Sequence, residues 1–248
     1  MRKLIILMLS VASVASAQPT HKFPPDSLTN TQVIPRSTPV IEVVGMMRNF
    51  TSALGVRCTF CHVGSEGEDL AEYDFASDQK RNKLVARQML RMLAEINARL
   101  DTIPGRTHPA VTATCQTCHH GVSRPIPLAT LIQETTAAVS ADSALSAYKV
   151  LRNKYYGKDA YDFSEGSLNI AAFRIARTGK VADALKILDY NETLYPKSSG
   201  MSVFRGNILL MKGDTSAAET AFREAIRRDS TNNEARGRLK AIGKAPPT

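Results

Sequence analysis

All four cysteines of this chain lie in two copies of one pentapeptide pattern, Cys58-Thr59-Phe60-Cys61-His62 and Cys115-Gln116-Thr117-Cys118-His119. C-x-x-C-H is the attachment sequence of c-type haem. Each thiol adds to a haem vinyl group as a thioether, and the adjacent imidazole takes one axial position on iron. Two large flat rings tied to the backbone constrain the fold more than any other feature, because each needs apolar cover close to its motif. The pattern therefore implies two covalently bound haem c groups and redox chemistry. Three other chemistries use the same residues: a closed zinc site, a reactive dithiol pair and a structural disulfide. The long separation of the pairs and the histidine directly after each argue against zinc. The two-residue gap makes a poor disulfide staple.

The segment from Met1 to Ala17 agrees with haem. Arg2 and Lys3 form a charged start, Leu4 to Val14 an apolar run, and Ala15-Ser16-Ala17 an A-x-A cleavage site, together a secretory signal peptide. Covalent haem is attached outside the cytoplasmic membrane, so export is expected. No later apolar run approaches the ~20 residues of a membrane helix. An exported, periplasmic or otherwise extracytoplasmic soluble protein with no transmembrane segment after signal removal is the expectation. The chain that follows Ala17 is long enough for one large domain or two modest ones.

Charge is uneven along the chain. Residues 18–135 carry 12 basic and 11 acidic side chains, and residues 136–248 carry 18 and 12. A basic half suits an acidic redox protein partner. Nucleic acid is not expected for an exported chain. The acidic run from Glu66 to Asp78 reads as a solvated loop, with docking of a basic partner as the alternative.

Hydrophobic spacing predicts an all-α fold, a two-haem c-type cytochrome domain followed by a tetratricopeptide-like helical repeat domain. The expected order is the signal peptide (1–17), a Pro-rich extended arm (18–40), the two-haem domain (41–130) and a helical domain (142–245). Val43, Met47, Phe50 and Leu54 make one stripe on a helix over about 41–54, ended by Gly55. Val85, Met89, Met92 and Ile96 make another over about 79–100, with Ser77 or Asp78 as N-cap. Both stripes are expected to face haem. Arg124-Pro125-Ile126-Pro127 breaks regular structure and begins a connector, and helix resumes at about Asp142.

Each stripe carries methionine, which is a core residue or a sixth iron ligand. Met46 lies off the first stripe. Among the remaining histidines, His21 lies in the arm, His120 adjoins the proximal ligand, and His108 lies in a loop as a candidate distal ligand.

The order Phe50-Thr51-Ser52-Ala53-Leu54-Gly55-Val56-Arg57-Cys58, then Asp74-Phe75-Ala76-Ser77-Asp78, Lys83 to Met92, Ile96-Asn97 and Thr117-Cys118-His119-His120-Gly121, resembles one two-haem half of the photosynthetic reaction centre cytochrome c subunit family. The resemblance covers about 43–127. It implies thioethers at Cys58, Cys61, Cys115 and Cys118, proximal ligands His62 and His119, and distal ligands Met47 and Met89. Met46 and Met92 are the neighbouring alternatives. His120 stands where the family tends to have arginine. An electron-transfer module follows from the resemblance, not photosynthesis.

Beyond residue 142 the chain repeats. Gly179 and Gly213, Ala184 and Ala218, Ala172 and Gly206, and Leu188 and Phe222 are each 34 apart. That period, with small residues at the helix crossing and Gly at the turn, is the tetratricopeptide signature. The units are about 165–198 and 199–232. Asn191 stands where alanine is usual. The repeats buttress the haems or offer a groove for a partner. Three functions compete: a carrier of single electrons, a two-haem peroxidase-type enzyme, and an assembly protein with a redox module. Methionine on both stripes and the lack of a distal acid/base set favour the carrier.

Overall fold

The computed structural model describes residues 22–106 and 109–247. The signal peptide, His21 and His108 lie outside the described residues. Among these there are ten α-helices and no named strand: α1 (Val40–Leu54), α2 (Arg81–Asp101), α3 (Cys115–His119), α4 (Leu128–Ala138), α5 (Ala141–Tyr155), α6 (Glu165–Ala176), α7 (Val181–Leu194), α8 (Ser199–Met211), α9 (Thr215–Arg228) and α10 (Asn233–Ala241). The fold is all-α, as the spacing predicts.

The chain forms two compact units. The first takes residues up to Ser52 together with Val56–Thr114, and so holds most of α1, the first motif and α2. The second takes Ala53–Gly55 and everything from Cys115, so the second motif clusters with the C-terminal helices.

In the first unit, α2 is tied down by its polar face. Arg87 is buried, unusual for a side chain that is rarely buried unless paired. Its guanidinium donates to the Asp78 carboxylate at 2.9 Å and to the Asn30 carbonyl at 3.0 Å. Lys83 directs its ammonium at three consecutive carbonyls, Phe75, Ala76 and Ser77, at 3.0, 2.9 and 2.8 Å. Arm and loop are thereby held against α2. Ser77 and Asp78, expected as caps of α2, do not cap it. The helix starts at Arg81, behind Lys80, with no side-chain cap. Asp78 is engaged instead by Lys83 and Arg87.

In the second unit, the expected connector after Pro127 is a helix. Pro127 stands at the N-cap position of α4, where a missing N–H costs nothing. Leu128, Ile132 and Thr136 then bury one face at i, i+4 and i+8. Leu128 and Ile132 join Ala144 and Tyr148 of α5 and Leu168 of α6 in one core. A second core gathers Val203, Phe222 and Leu239 from α8 to α10.

The starts of α6 and α7, Glu165 and Val181, recur one repeat later as the starts of α8 and α9, Ser199 and Thr215. Two equivalent helical hairpins therefore follow one another. Gly179 and Gly213 sit at matching turns with φ of +87° and +82°, a conformation that favours glycine. Asn191 is fully buried, and its amide donates to the Glu165 carbonyl and to Asn169 Oδ1, each at 2.9 Å. The polar replacement of an expected alanine therefore joins the two helices of the first hairpin.

Candidate haem-binding sites

Each motif folds as a single helical turn. In the first, Cys58–Phe60 is a 3-10 turn, and the amides of Cys61 and His62 both donate to the Cys58 carbonyl, at 3.1 and 2.9 Å. In the second, Cys115–His119 is α3. Positions i, i+3 and i+4 of such a turn share one face, which brings two thiols and an imidazole together. All four cysteines are unpaired, so the disulfide alternative finds no support. Among the described residues no three His, Cys, Asp or Glu side chains gather as a metal site.

The two motif histidines differ in their surroundings. His119 Nδ1 lies 2.9 Å from the Val122 carbonyl. A carbonyl only accepts, so Nδ1 carries the proton and Nε2 keeps its lone pair for a metal. His62 packs edge-on against Phe75, ring centroids 5.0 Å apart, and Phe75 in turn meets Tyr73 and Phe23. Its Nδ1 is buried with no hydrogen-bond partner. Burial, and next the Lys83 ammonium, hold His62 below the usual imidazole value. The shift favours the neutral imidazole, the form that can ligate a metal. Burial also pushes the Cys61 and Cys115 thiols up.

Two side-chain amides of α2 fix backbone within the first unit. Asn82 Nδ2 donates to the Phe60 carbonyl at 3.1 Å, inside the first motif. Asn97 grips the Ala113 backbone at both ends, Nδ2 to the carbonyl at 3.0 Å and Oδ1 from the amide at 2.8 Å, just ahead of Cys115. Four apolar side chains of α2 are nonetheless exposed: Leu84, Val85, Met89 at 44% and Met92 at 48%. On α1, Met46 is 36% exposed, whereas Met47 is half-buried.

The second motif opens onto a cleft of about 380 Å³ within its own unit. Cys118 and His119 line it with Val122 and Ile126, and Ile170 and Arg174 of α6 complete the wall. Sequence spacing gave no sign of the last two, since they lie far beyond the motif along the chain. The aromatic set beside His62 is equally invisible, because Phe75 reaches it from a loop and Phe23 packs on Phe75 from the arm. Gly55 lies close against the backbone that follows the second motif. A Cβ there would lie 2.9 Å from the Gly121 carbonyl carbon, and Gly121 donates its amide to the Ala53 carbonyl at 2.8 Å.

The acidic run is largely structural. Asp69 accepts from the Ala71 amide at 2.9 Å, Asp74 from those of Ala76 and Ser77 at 3.0 and 2.8 Å, and Glu68 from that of Ser65 at 2.8 Å. Hydrogen bonds from Arg87, then from Asn30, hold the Asp78 carboxyl well below the usual carboxylate range. A carboxyl depressed on folding stabilises the protein above its unfolded value, about 3.9, and loses that contribution as pH falls through the folded value. Asp78→Asn should therefore lower the urea midpoint of the intact protein at pH 7. The gap to wild type should narrow as pH drops below about 3.9. A gap of constant size from pH 7 to pH 2.5 would show that the ion pairs carry none of the difference.

Two thiols and an imidazole on one turn, beside exposed apolar surface, are a donor set that a covalently attached porphyrin would fit. Residues 66–155 match the family model described as photosynthetic reaction centre cytochrome C subunit. The resemblance expected from the sequence is thus found, over α2 to α5 and the second motif; the first motif precedes the matched residues. The chain is also similar to the photosynthetic reaction center cytochrome c subunit of Rubrivivax gelatinosus, 29% identical over 112 residues, covering 43% of this chain and 30% of that one. The chain therefore spans about a third of the length of that relative. No solved structure matches. A cytochrome c family implies covalently bound haem c and electron transfer. Among the described residues no helix is long and apolar enough to cross a membrane.

Proposed function

We propose that the protein is an exported two-haem c-type cytochrome that passes single electrons between redox partners. Cys58 and Cys61 hold one haem, and Cys115 and Cys118 the other. His62 and His119 are the proximal ligands, and Met47 and Met89 fill the sixth positions. The haem supplies a one-electron iron couple; the protein supplies ligands, apolar cover and orientation. The observation that carries the reading is the tautomer of His119, fixed by Val122 with Nε2 left to ligate, in the turn that also presents both thiols. Asn82 fixes the Phe60 carbonyl inside the first motif, and Asn97 fixes the Ala113 backbone two residues before the second.

The test is the intact mass of the exported protein after acid-acetone extraction, which removes haem that is not covalently bound. Two haems above the bare chain are expected, and one after Cys115→Ala with Cys118→Ala. A mass equal to the bare chain, or stoichiometric zinc, would sink the reading.

The basic half of the chain suits docking of an acidic redox partner through the tetratricopeptide-like hairpins. Charge attraction is screened over about 10 Å at 0.1 M salt, so electron transfer to that partner should slow as salt rises. A rate indifferent to salt would leave the hairpins as support alone.

A further inference from the structure

The cleft beside the second motif has a wall that the family match does not reach. Matched residues end at Tyr155, whereas Ile170 and Arg174 belong to α6, the first helix of the repeated hairpins. Ile170 is 42% exposed although its neighbours Asn169 and Ala171 are buried. Arg174 follows one turn later on the same face, as i and i+4 do. Its Nη1 donates to Thr130 Oγ1 of α4 at 3.2 Å. Among the described residues it forms no ion pair, unlike Arg124, Arg205, Arg223 and Arg228 in the same unit. The cleft contains two carboxylates: Asp162 is engaged by the Ser164 amide at 2.8 Å and the Ser164 and Ser167 hydroxyls at 2.9 and 3.2 Å, and Asp159 also lines the cleft but makes no ion pair with Arg174. The guanidinium is thus positioned on the wall and not neutralised.

An apolar floor of Val122, Ile126 and Ile170 with one unpaired guanidinium at its side is complementary to a porphyrin, which is flat and apolar with carboxylates along one edge. Resting on the two-haem reading, we infer that Arg174 binds a propionate of the haem held by Cys115 and Cys118, and that Ile170 covers that ring. Helix α6 of the repeat hairpins is then part of a haem pocket. The hairpins cannot be removed without altering that haem.

The consequence is electrostatic. Reduction takes one positive charge off the iron, so a cation close to the ring favours the reduced form. The test is a spectroelectrochemical titration of the intact haem-loaded protein and its Arg174→Gln and Arg174→Lys variants. Covalent haem content is measured by mass in parallel. In Arg174→Gln one midpoint should fall by about 59 mV, a tenfold change in the ratio of reduced to oxidised iron at fixed potential, while the other stays in place. Arg174→Lys should retain most of the wild-type value, and Thr130→Val should shift the same midpoint in the same direction by less. Two retained haems with both midpoints unmoved would overturn the inference, and so would an equal shift of both. Unchanged midpoints with weakened binding of a partner protein would reassign Arg174 to docking. Absence of covalent haem from the wild type would instead overturn the underlying two-haem reading.

Discussion

Gly206→Ala should strongly destabilise the C-terminal hairpins. The new methyl would lie 2.7 Å from both Cδ1 and Cζ of Phe222, well inside van der Waals contact. Neither partner has room to give. Gly206 is in the middle of α8, and Phe222 is fully buried in α9. Overpacking of this kind costs about 1–3 kcal/mol. The earlier hairpin shows the remedy. At the equivalent positions one repeat earlier the pair is Ala172 and Leu188, both fully buried. Alanine there replaces the glycine, and a smaller leucine replaces the phenylalanine. Gly206→Ala combined with Phe222→Leu should therefore recover part of the loss. The coupling of such neighbours is expected at about 0.5–3 kcal/mol, read from urea midpoints of the two single variants and the double. Strict additivity would mean that the two residues do not share one packing site.

Replacing Met47 or Met89 with leucine should convert one haem to high-spin and let it bind carbon monoxide when reduced. This prediction rests on chain order and on the exposed methionine-bearing face of α2. Leucine conserves volume, so the fold should lose less than about 1.5 kcal/mol, while the thioether sulfur is gone. Met47 is half-buried on α1 and its neighbour Met46 more exposed; Met89 and Met92 stand one turn apart on the same exposed face. Leucine at Met46 and at Met92 therefore serve as the paired controls. An unchanged spectrum for Met47→Leu together with an altered one for Met46→Leu would reassign the ligand on α1. The same comparison decides between Met89 and Met92.

The helices that periodicity predicted are those whose buried face comes from one run of residues. Helix α1 begins at Val40, next to its predicted start at Ile41. The paired hairpins begin at the predicted Glu165 and Ser199, because small residues and turn glycines recur at a fixed interval. Helix α4 was missed because Pro125 and Pro127 read as breakers, and proline at a helix start is compatible with helix. The caps of α2 were misjudged for a related reason. Asp78 is a competent cap by type, but two cations, Lys83 and Arg87, compete for the same carboxylate, and their reach depends on the loop path.

Local chemistry settled a good deal in the chain alone. Two motif turns present paired thiols and an imidazole because i, i+3 and i+4 share a face whatever surrounds them. All-helical architecture and the repeat that carries Gly179 onto Gly213 follow equally from spacing. What each turn faces was decided only by tertiary structure. Phe75 comes to His62 with Phe23 packed behind it, Val122 fixes the proton of His119, and Ile170 and Arg174 close the second cleft. These partners approach through irregular loops or from helices far along the chain. No periodicity links them to the motifs, and packing of separate elements is what brings them within contact distance.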